Sequence, residues 1–294
     1  MKTLITGSSS GFGKLIAQTL LEDGQTVFAT MRELDGKNSD KAKELFDFAE
    51  KKEGKLYLLD LDVTSDSSVQ AAIAKAFELE SQIDAVINNA GVGSSGFAEA
   101  MTTGQFQYIF DVNVMGVQRV NRAVLPSMRK RGSGLLIHIS TIMGRIVLPF
   151  SAAYTASKFA LEGLAETYKY ELAPTGVDVA IVQPGGFPTN FFDNMSKPSD
   201  PERAESYGDL NKLPEQMWSG MAETLQSEDA PDPQLVADAV LDLVNTPAGE
   251  RPFRVVVDPL MGGEAPETLN KTAADIQKKL LSGFGMEDLL SVKR

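Results

Sequence analysis

Short apolar runs and longer mixed stretches alternate along the whole chain. The runs are "TLIT" (3–6), "TVFAT" (26–30), "KLYLLDLD" (55–62), "IDAVINNAG" (83–91), "GLLIHIS" (134–140), "VDVAIVQPG" (177–185) and "FRVVVD" (253–258). They are short and nearly continuous in Val, Ile and Leu, without a polar residue at every second place. That is the pattern of strands covered on both faces, as in a parallel sheet. Between them, residues 12–23, 39–52, 66–80, 102–130, 155–173 and 233–246 read as helices. Strand–helix alternation throughout predicts a doubly wound, Rossmann-type α/β fold: a parallel seven-stranded sheet with helices on both faces. No composition break divides the chain, so one domain over 1–294 is expected. Residues 186–232 are the least regular, rich in Pro, Asp, Glu and Ser around an apolar "QMWSGM" (216–221). Such a stretch reads as a surface loop or, over 188–230, as a lid across a pocket. Residues 259–294 form a polar C-terminal extension, with one helix expected near 267–281.

Composition narrows the classes. Hydrophobic residues make up 43% and charged residues 23%, an ordinary globular balance. There is no cysteine and a single histidine, His138, which argues against disulfides and against thiolate or histidine metal sites. A net charge of −12 argues against nucleic acid as a partner. No run of ~18 apolar residues predicts a membrane span. No leader pattern stands ahead of "MKTLITGSSS", so a cytoplasmic location is expected.

Two stretches carry chemistry. The first is "TGSSSGFGK" (6–14), between the first strand and the first helix. Glycine lets backbone approach a phosphate, and a helix N-terminus offers free N–H groups and a positive dipole end. A phosphate loop of the G-x-x-x-x-G-K-[ST] type fails here, because Ser8 and Leu15 stand at its two ends. In dinucleotide-binding units an acid near the end of the second strand holds the ribose 2′-hydroxyl. Here Thr30 lies in that neighbourhood and Arg32 follows, which favours a 2′-phosphate and hence NADP over NAD. Glu33 next door argues the other way.

The second stretch is "YTASK" (154–158). Spacing i, i+4 puts Tyr154 and Lys158 on one helix face. A lysine ammonium favours the phenolate and lowers a phenol pKa that is otherwise ~10, too high for proton exchange near neutrality. His138, in a buried run, reads as a packed core residue.

The loop spacing G-x-x-x-G-x-G, with Thr6 in front, resembles the short-chain dehydrogenase/reductase family in its compact single-domain branch; the extended branch has G-x-x-G-x-x-G instead. "LDVT" (61–64), "NNAG" (88–91), "DVNVMG" (111–116), "YTASK" and "QPGGFPTN" (183–190) match the family's motifs in order. The resemblance spans roughly residues 3–190 and the last strand. It implies a nicotinamide cofactor held by Gly7, Ser9, Ser10, Gly11, Phe12 and Gly13, by Thr30 and Arg32, and by Asp62 and Val63 at the adenine. It further implies contacts from Asn89, Ala90 and Gly91, from Pro184, Gly185, Phe187 and Thr189, and from Tyr154 and Lys158, the lysine on the nicotinamide ribose. Tyr154 is implied as general acid/base, and Asn113 as a holder of a proton-relay water. The family's catalytic serine normally stands thirteen residues before the tyrosine. That place is Thr141 here, with Ser140 as the fallback.

Steroid- and retinoid-dehydrogenase-like members look most similar, through "TMREL", "SKFALEG" and the segment from Asn113 to Ser140. Large apolar residues are expected around the substrate: Gly93, Ser94, Met143, Leu148, Phe150, Phe187, Phe191, Phe192, Met217, Trp218 and Met221. A hydrophobic ketone or secondary alcohol would suit them. The resemblance also implies a homodimer or homotetramer through the helices 102–130 and 155–173, where Phe106, Phe110, Val114, Val117, Val120 and Leu125 could serve core or interface. A non-catalytic nucleotide sensor or scaffold on the same fold, and an isomerase using the same pair, are the alternatives.

Overall fold

The structure, a computed structural model, describes residues 1–293. Each of the seven apolar runs forms a strand: β1 (Lys2–Thr6), β2 (Thr26–Met31), β3 (Lys55–Asp60), β4 (Ala85–Asn88), β5 (Gly134–Ile139), β6 (Val177–Pro184) and β7 (Arg254–Val257). All pair in parallel, in the order β3-β2-β1-β4-β5-β6-β7. The helices are α1 (Gly11–Glu22), α2 (Ser39–Ala49), α3 (Asp66–Glu80), α4 (Thr103–Phe110), α5 (Gly116–Arg131), α6 (Ala152–Leu172), α7 (Pro201–Glu205), α8 (Leu213–Leu225), α9 (Gln234–Asn245) and α10 (Glu264–Gly283).

Successive strand residues point to opposite faces, and both faces are apolar. Leu4, Val86, Leu136 and Ile181 meet α3, α5 and α6 through Val69, Ile73, Val120, Val124 and Ala165. Their neighbours Ile5, Ile87, Leu135, Ile137 and Val182 meet α1, α2 and α9 through Ile16, Leu20, Leu45, Val236 and Val240. Val120 is fully buried and Val114, Val117 and Leu125 nearly so, which settles these positions as core. The strand order runs outward in both directions from β1, so a crevice opens at the carboxyl ends of β1 and β4.

Two regions differ from the sequence pattern. The helix expected over 102–130 is not uniform: a π-helical turn, Asp111–Met115, joins α4 to α5. Such turns carry one extra residue and recur at functional sites. The stretch 186–232 is irregular only in part: residues 201–225 hold α7, a short 3-10 segment and α8, and the flanks are turns and loops. Its stem is latched. Ser196 N–H donates to Gly93 O at 2.9 Å, Ser95 N–H donates to Ser196 O at 3.0 Å, and Phe97 stacks on Tyr207 at 3.9 Å. The helix expected near 267–281 is α10. It touches the body through Asn270, whose Nδ2 donates to Gln183 Oε1 at 2.7 Å, and leaves Leu269, Ile276 and Leu280 facing out. Among the described residues no helix is long and apolar enough to cross a membrane.

Candidate active site

A cavity of about 610 Å³ opens at the carboxyl ends of the central strands. At one end lies the glycine loop. Gly7 and Gly11 have φ of 72° and 53°, in the left-handed region that favours glycine. Thr6 Oγ1 accepts from Asn89 N–H and Ala90 N–H, both at 3.0 Å, and Asn89 Nδ2 donates to Thr6 O and Gly7 O, which ties the loop to the end of β4. Ser10 stands at the N-cap of α1 in extended conformation, and its side chain makes no capping bond. First-turn N–H groups are therefore left for an anion. Gly7, Ser9, Ser10, Gly11 and Phe12 line the cavity, as do Asp62, Val63, Asn89, Ala90 and Gly91. A dinucleotide's phosphates fit this donor set.

Two residues expected at the cofactor stand elsewhere. Thr30 is fully buried, with Oγ1 donating to Ile5 O at 3.0 Å, so its side chain is turned into the sheet. Its carbonyl accepts from Ser8 N–H at 2.9 Å and so holds the loop from behind. Gly13 sits beneath the loop and does not line the cavity; a Cβ there would fall 2.3 Å from Gly7 O. Arg32 does line it, together with Lys37 and Lys41, while Glu33 is not among the lining residues. The chain turns at Glu33–Gly36, with Gly36 N–H donating to Glu33 O at 3.0 Å, and this brings both lysines back to the end of β2.

At the other end, α6 presents Tyr154 and Lys158 into the cavity, both nearly buried. The Lys158 ammonium donates to Ile139 O at 2.8 Å and lies 5.7 Å from the Tyr154 ring centre. Burial holds the phenol above its ordinary range, and the Thr141 hydroxyl beside it pulls the other way. Burial pushes Lys158 down to about 8, against the charge of Glu162. Thr141 Oγ1 also donates to Pro184 O at 3.2 Å. Ser140 Oγ lies instead against Gly144, beside Glu162, and has no hydrogen-bond partner among the described residues. Both residues line the cavity, and Thr141 is the one whose hydroxyl bonds Tyr154.

Asn113 is fully buried in the π-turn and does not line the cavity. Its amide bridges Val92 in both directions at 2.9 Å and donates to Ser157 Oγ at 2.9 Å. It braces the wall behind Lys158. His138 is fully buried, and burial first, Lys158 second, lower it to about 3. It stays neutral and packs in the core, as the sequence indicates.

The region around Tyr154 is apolar. Tyr154, Phe191, Phe192 and Trp218 form an aromatic row with centroids 5.2, 5.8 and 5.9 Å apart, running from the phenol to α8. A Cβ on Gly93 would fall 2.6 Å from Phe191, so glycine makes room for that ring. Ser94, Met143, Leu148, Phe187 and Met221 complete the wall, beside Pro184, Gly185 and Thr189. Phe150 and Met217 do not line it; Phe150 packs edge-on against Phe97 at 5.2 Å.

The family described as short chain dehydrogenase matches residues 2–200. The chain belongs to that family. This short-chain dehydrogenase is similar to a 3-ketodihydrosphingosine reductase from Bacteroides thetaiotaomicron, at 39% identity over 70% of this chain and 71% of the relative. It is 34% identical to human 17-beta-hydroxysteroid dehydrogenase type 1, over 83% of this chain and 74% of the relative. Among solved structures it resembles an alcohol dehydrogenase from the archaeon Thermococcus sibiricus complexed with 5-hydroxy-NADP, with a TM-score of 0.69, 25% identity and coverage of 87% and 96%. Solved neighbours of this fold are complexed with NADP in some cases and NAD in others.

Sequence reasoning missed several residues on the cavity wall: Lys37, Asn38 and Lys41 beside Arg32, and Val92, Asn190, Met195, Leu260 and Met261 elsewhere on it. Lys37 lies in the turn before α2 and Lys41 in its first turn, so no single period links them in the sequence. Leu260 and Met261 arrive from the C-terminal extension after β7, and no local pattern marks that return.

Proposed function

We propose that the chain is an NADP-dependent oxidoreductase that moves a hydride between the cofactor and a hydrophobic ketone or secondary alcohol, with Tyr154 as general acid/base. One observation carries this reading. Tyr154, Lys158 and the Thr141 hydroxyl converge on one cavity whose far end holds Arg32, Lys37 and Lys41. The glycine loop and the first turn of α1 would hold the pyrophosphate. Three cations at the end of β2 suit a 2′-phosphate, since an added dianion gains charge-assisted hydrogen bonds there. When bound, the cofactor supplies or accepts the hydride. The residues of the chain manage the proton. Thr141 orients the substrate oxygen toward Tyr154, the phenol donates its proton to that oxygen in reduction, the phenolate takes the alcohol proton in oxidation, and the Lys158 ammonium favours the phenolate. The row Tyr154–Phe191–Phe192–Trp218 would exclude water and bind an apolar body. Relatives named for 3-ketodihydrosphingosine and for a 17-beta-hydroxysteroid support that substrate class. Exposed Tyr108, Met115 and Phe159 on the α4–α5 and α6 faces support a homodimer or homotetramer.

The test is consumption of NADPH and of NADH against ketones graded from small and polar to bulky and apolar. Turnover is expected with the bulky ketones, with NADPH favoured by about tenfold or more and that margin eroded in Arg32→Ala/Lys41→Ala. Equal use of NADH would overturn the cofactor assignment. Binding of NADPH with no turnover on any ketone would favour a nucleotide sensor instead.

A further inference from the structure

Below the cavity floor lies a buried charged cluster that the proposed proton transfer does not use. It follows one row of α6 at successive i, i+4 places: Tyr154, Lys158, Glu162 and Glu166. Glu162 is only 2% exposed, as deep as the apolar core. Its Oε2 accepts from Arg254 Nε at 2.8 Å, and its Oε1 accepts from Gln183 Nε2 at 2.8 Å. Arg254 Nη2 also donates to Glu166 Oε2 at 2.8 Å. Asn270 of α10 then donates to Gln183, so the C-terminal extension closes the cluster from outside.

A buried carboxylate is costly unless it is paired, and Arg254 must serve two of them. At the outer end Glu166 has further help from Lys169 and from the Tyr170 hydroxyl. At the inner end the next cation along the row is Lys158. Its own direct partner is a neutral carbonyl, Ile139 O.

We propose that Glu162 is a positioning residue for the proposed reaction: clamped by Arg254 and Gln183 one helical turn beyond Lys158, its carboxylate keeps that buried lysine charged. The proposal rests on the reading of Tyr154 and Lys158 given above. Lysine acts on the phenol only as ammonium, and burial works against that form. Of the ionisable groups around Lys158, Tyr154 on α6 is held neutral by burial, and His138 on β5 is neutral throughout the working range. Among the described residues, Glu162 is the charge that supports the ammonium, which sits at about 8 even with its help. The direction follows. Without the Glu162 charge Lys158 loses its proton at lower pH, and the fraction of enzyme with a charged lysine falls at neutrality.

The test reads Lys158 directly. Its ε-carbon is titrated by carbon NMR in lysine-labelled protein, the resonance being assigned by its loss in Lys158→Met. Glu162→Gln is expected to lower the Lys158 midpoint by about one pH unit, with the alkaline limb of the pH–rate profile moving alike, while Glu162→Asp stays near wild type. An unchanged Lys158 midpoint in folded Glu162→Gln overturns the proposal. Should Glu162→Gln fail to fold, the double variant Glu162→Gln/Arg254→Gln removes both charges of the buried pair together; it is expected to lower the Lys158 midpoint likewise, and an unchanged midpoint overturns the proposal. Because the titration needs no turnover, an inactive wild-type protein would sink the enzymatic reading without being mistaken for failure of the electrostatic link.

Discussion

Two neighbouring hydroxyls with different directions decide most at the residue scale. Spacing from Tyr154 selects Thr141 over Ser140, and the structure gives the physical counterpart, because Thr141 faces the phenol and Ser140 faces Gly144. Thr141→Ala is expected to cut kcat/KM by about a hundredfold, losing the hydroxyl proposed to orient the reacting oxygen beside Tyr154. Ser140→Ala is expected to keep activity and gain slight stability, since its buried hydroxyl has no partner. Steady-state kinetics and denaturant melts of both variants check this; the reverse pattern would move the role to Ser140. Tyr154, Lys158 and Arg32 were legible in the sequence because each stands at a fixed offset from a recognisable turn or helix. Thr30 was not. Whether the last strand residue points into the crevice or into the sheet depends on pleat and twist, and a string of letters does not record that.

Elements were legible where burial on both faces made the pattern strong, as in β5 and β6, whose runs are apolar almost throughout. The π-turn was not, because "DVNVM" contains neither Gly nor Pro and fits an ordinary helix. Helix α7 was hidden by its five-residue length and exposed surface, and α8 by Pro214 at its start and Gly220 within it, in a stretch otherwise rich in Pro, Asp, Glu and Ser. Helix α1 shows how glycines set the spacing between elements. Gly13→Ala would drive its Cβ against Gly7 O and Asn89 Nδ2, at 2.3 and 2.4 Å, and backbone at that distance has little room to yield. The variant is expected to lose about 1–3 kcal/mol and to weaken nucleotide binding. Gly163→Ala, in the open middle of α6 with nothing within 4 Å, is expected to gain about 0.5–1 kcal/mol instead. Denaturant melts of the pair read both signs, and equal effects would contradict the close packing of α1 on β1.

Over the whole molecule, alternation of strand and helix was enough to foresee a parallel sheet, since β–α–β crossovers need helices on its faces. The path of the last residues was not foreseeable, because contacts such as Asn270 with Gln183 join positions 87 apart in the sequence. The net charge of −12 is also unevenly placed, with Arg32, Lys37 and Lys41 gathered at the nucleotide end of the cavity. Such a basic patch on an acidic protein concentrates an anionic cofactor at one place. The central claim is that this cavity carries out hydride exchange with Tyr154 moving the proton. Its most direct test is Tyr154→Phe, with turnover of NADPH on an apolar ketone and NADPH affinity measured on the same preparation. The account expects turnover to fall by about a thousandfold or more while affinity changes by less than about threefold. Turnover near wild type in that variant would contradict it.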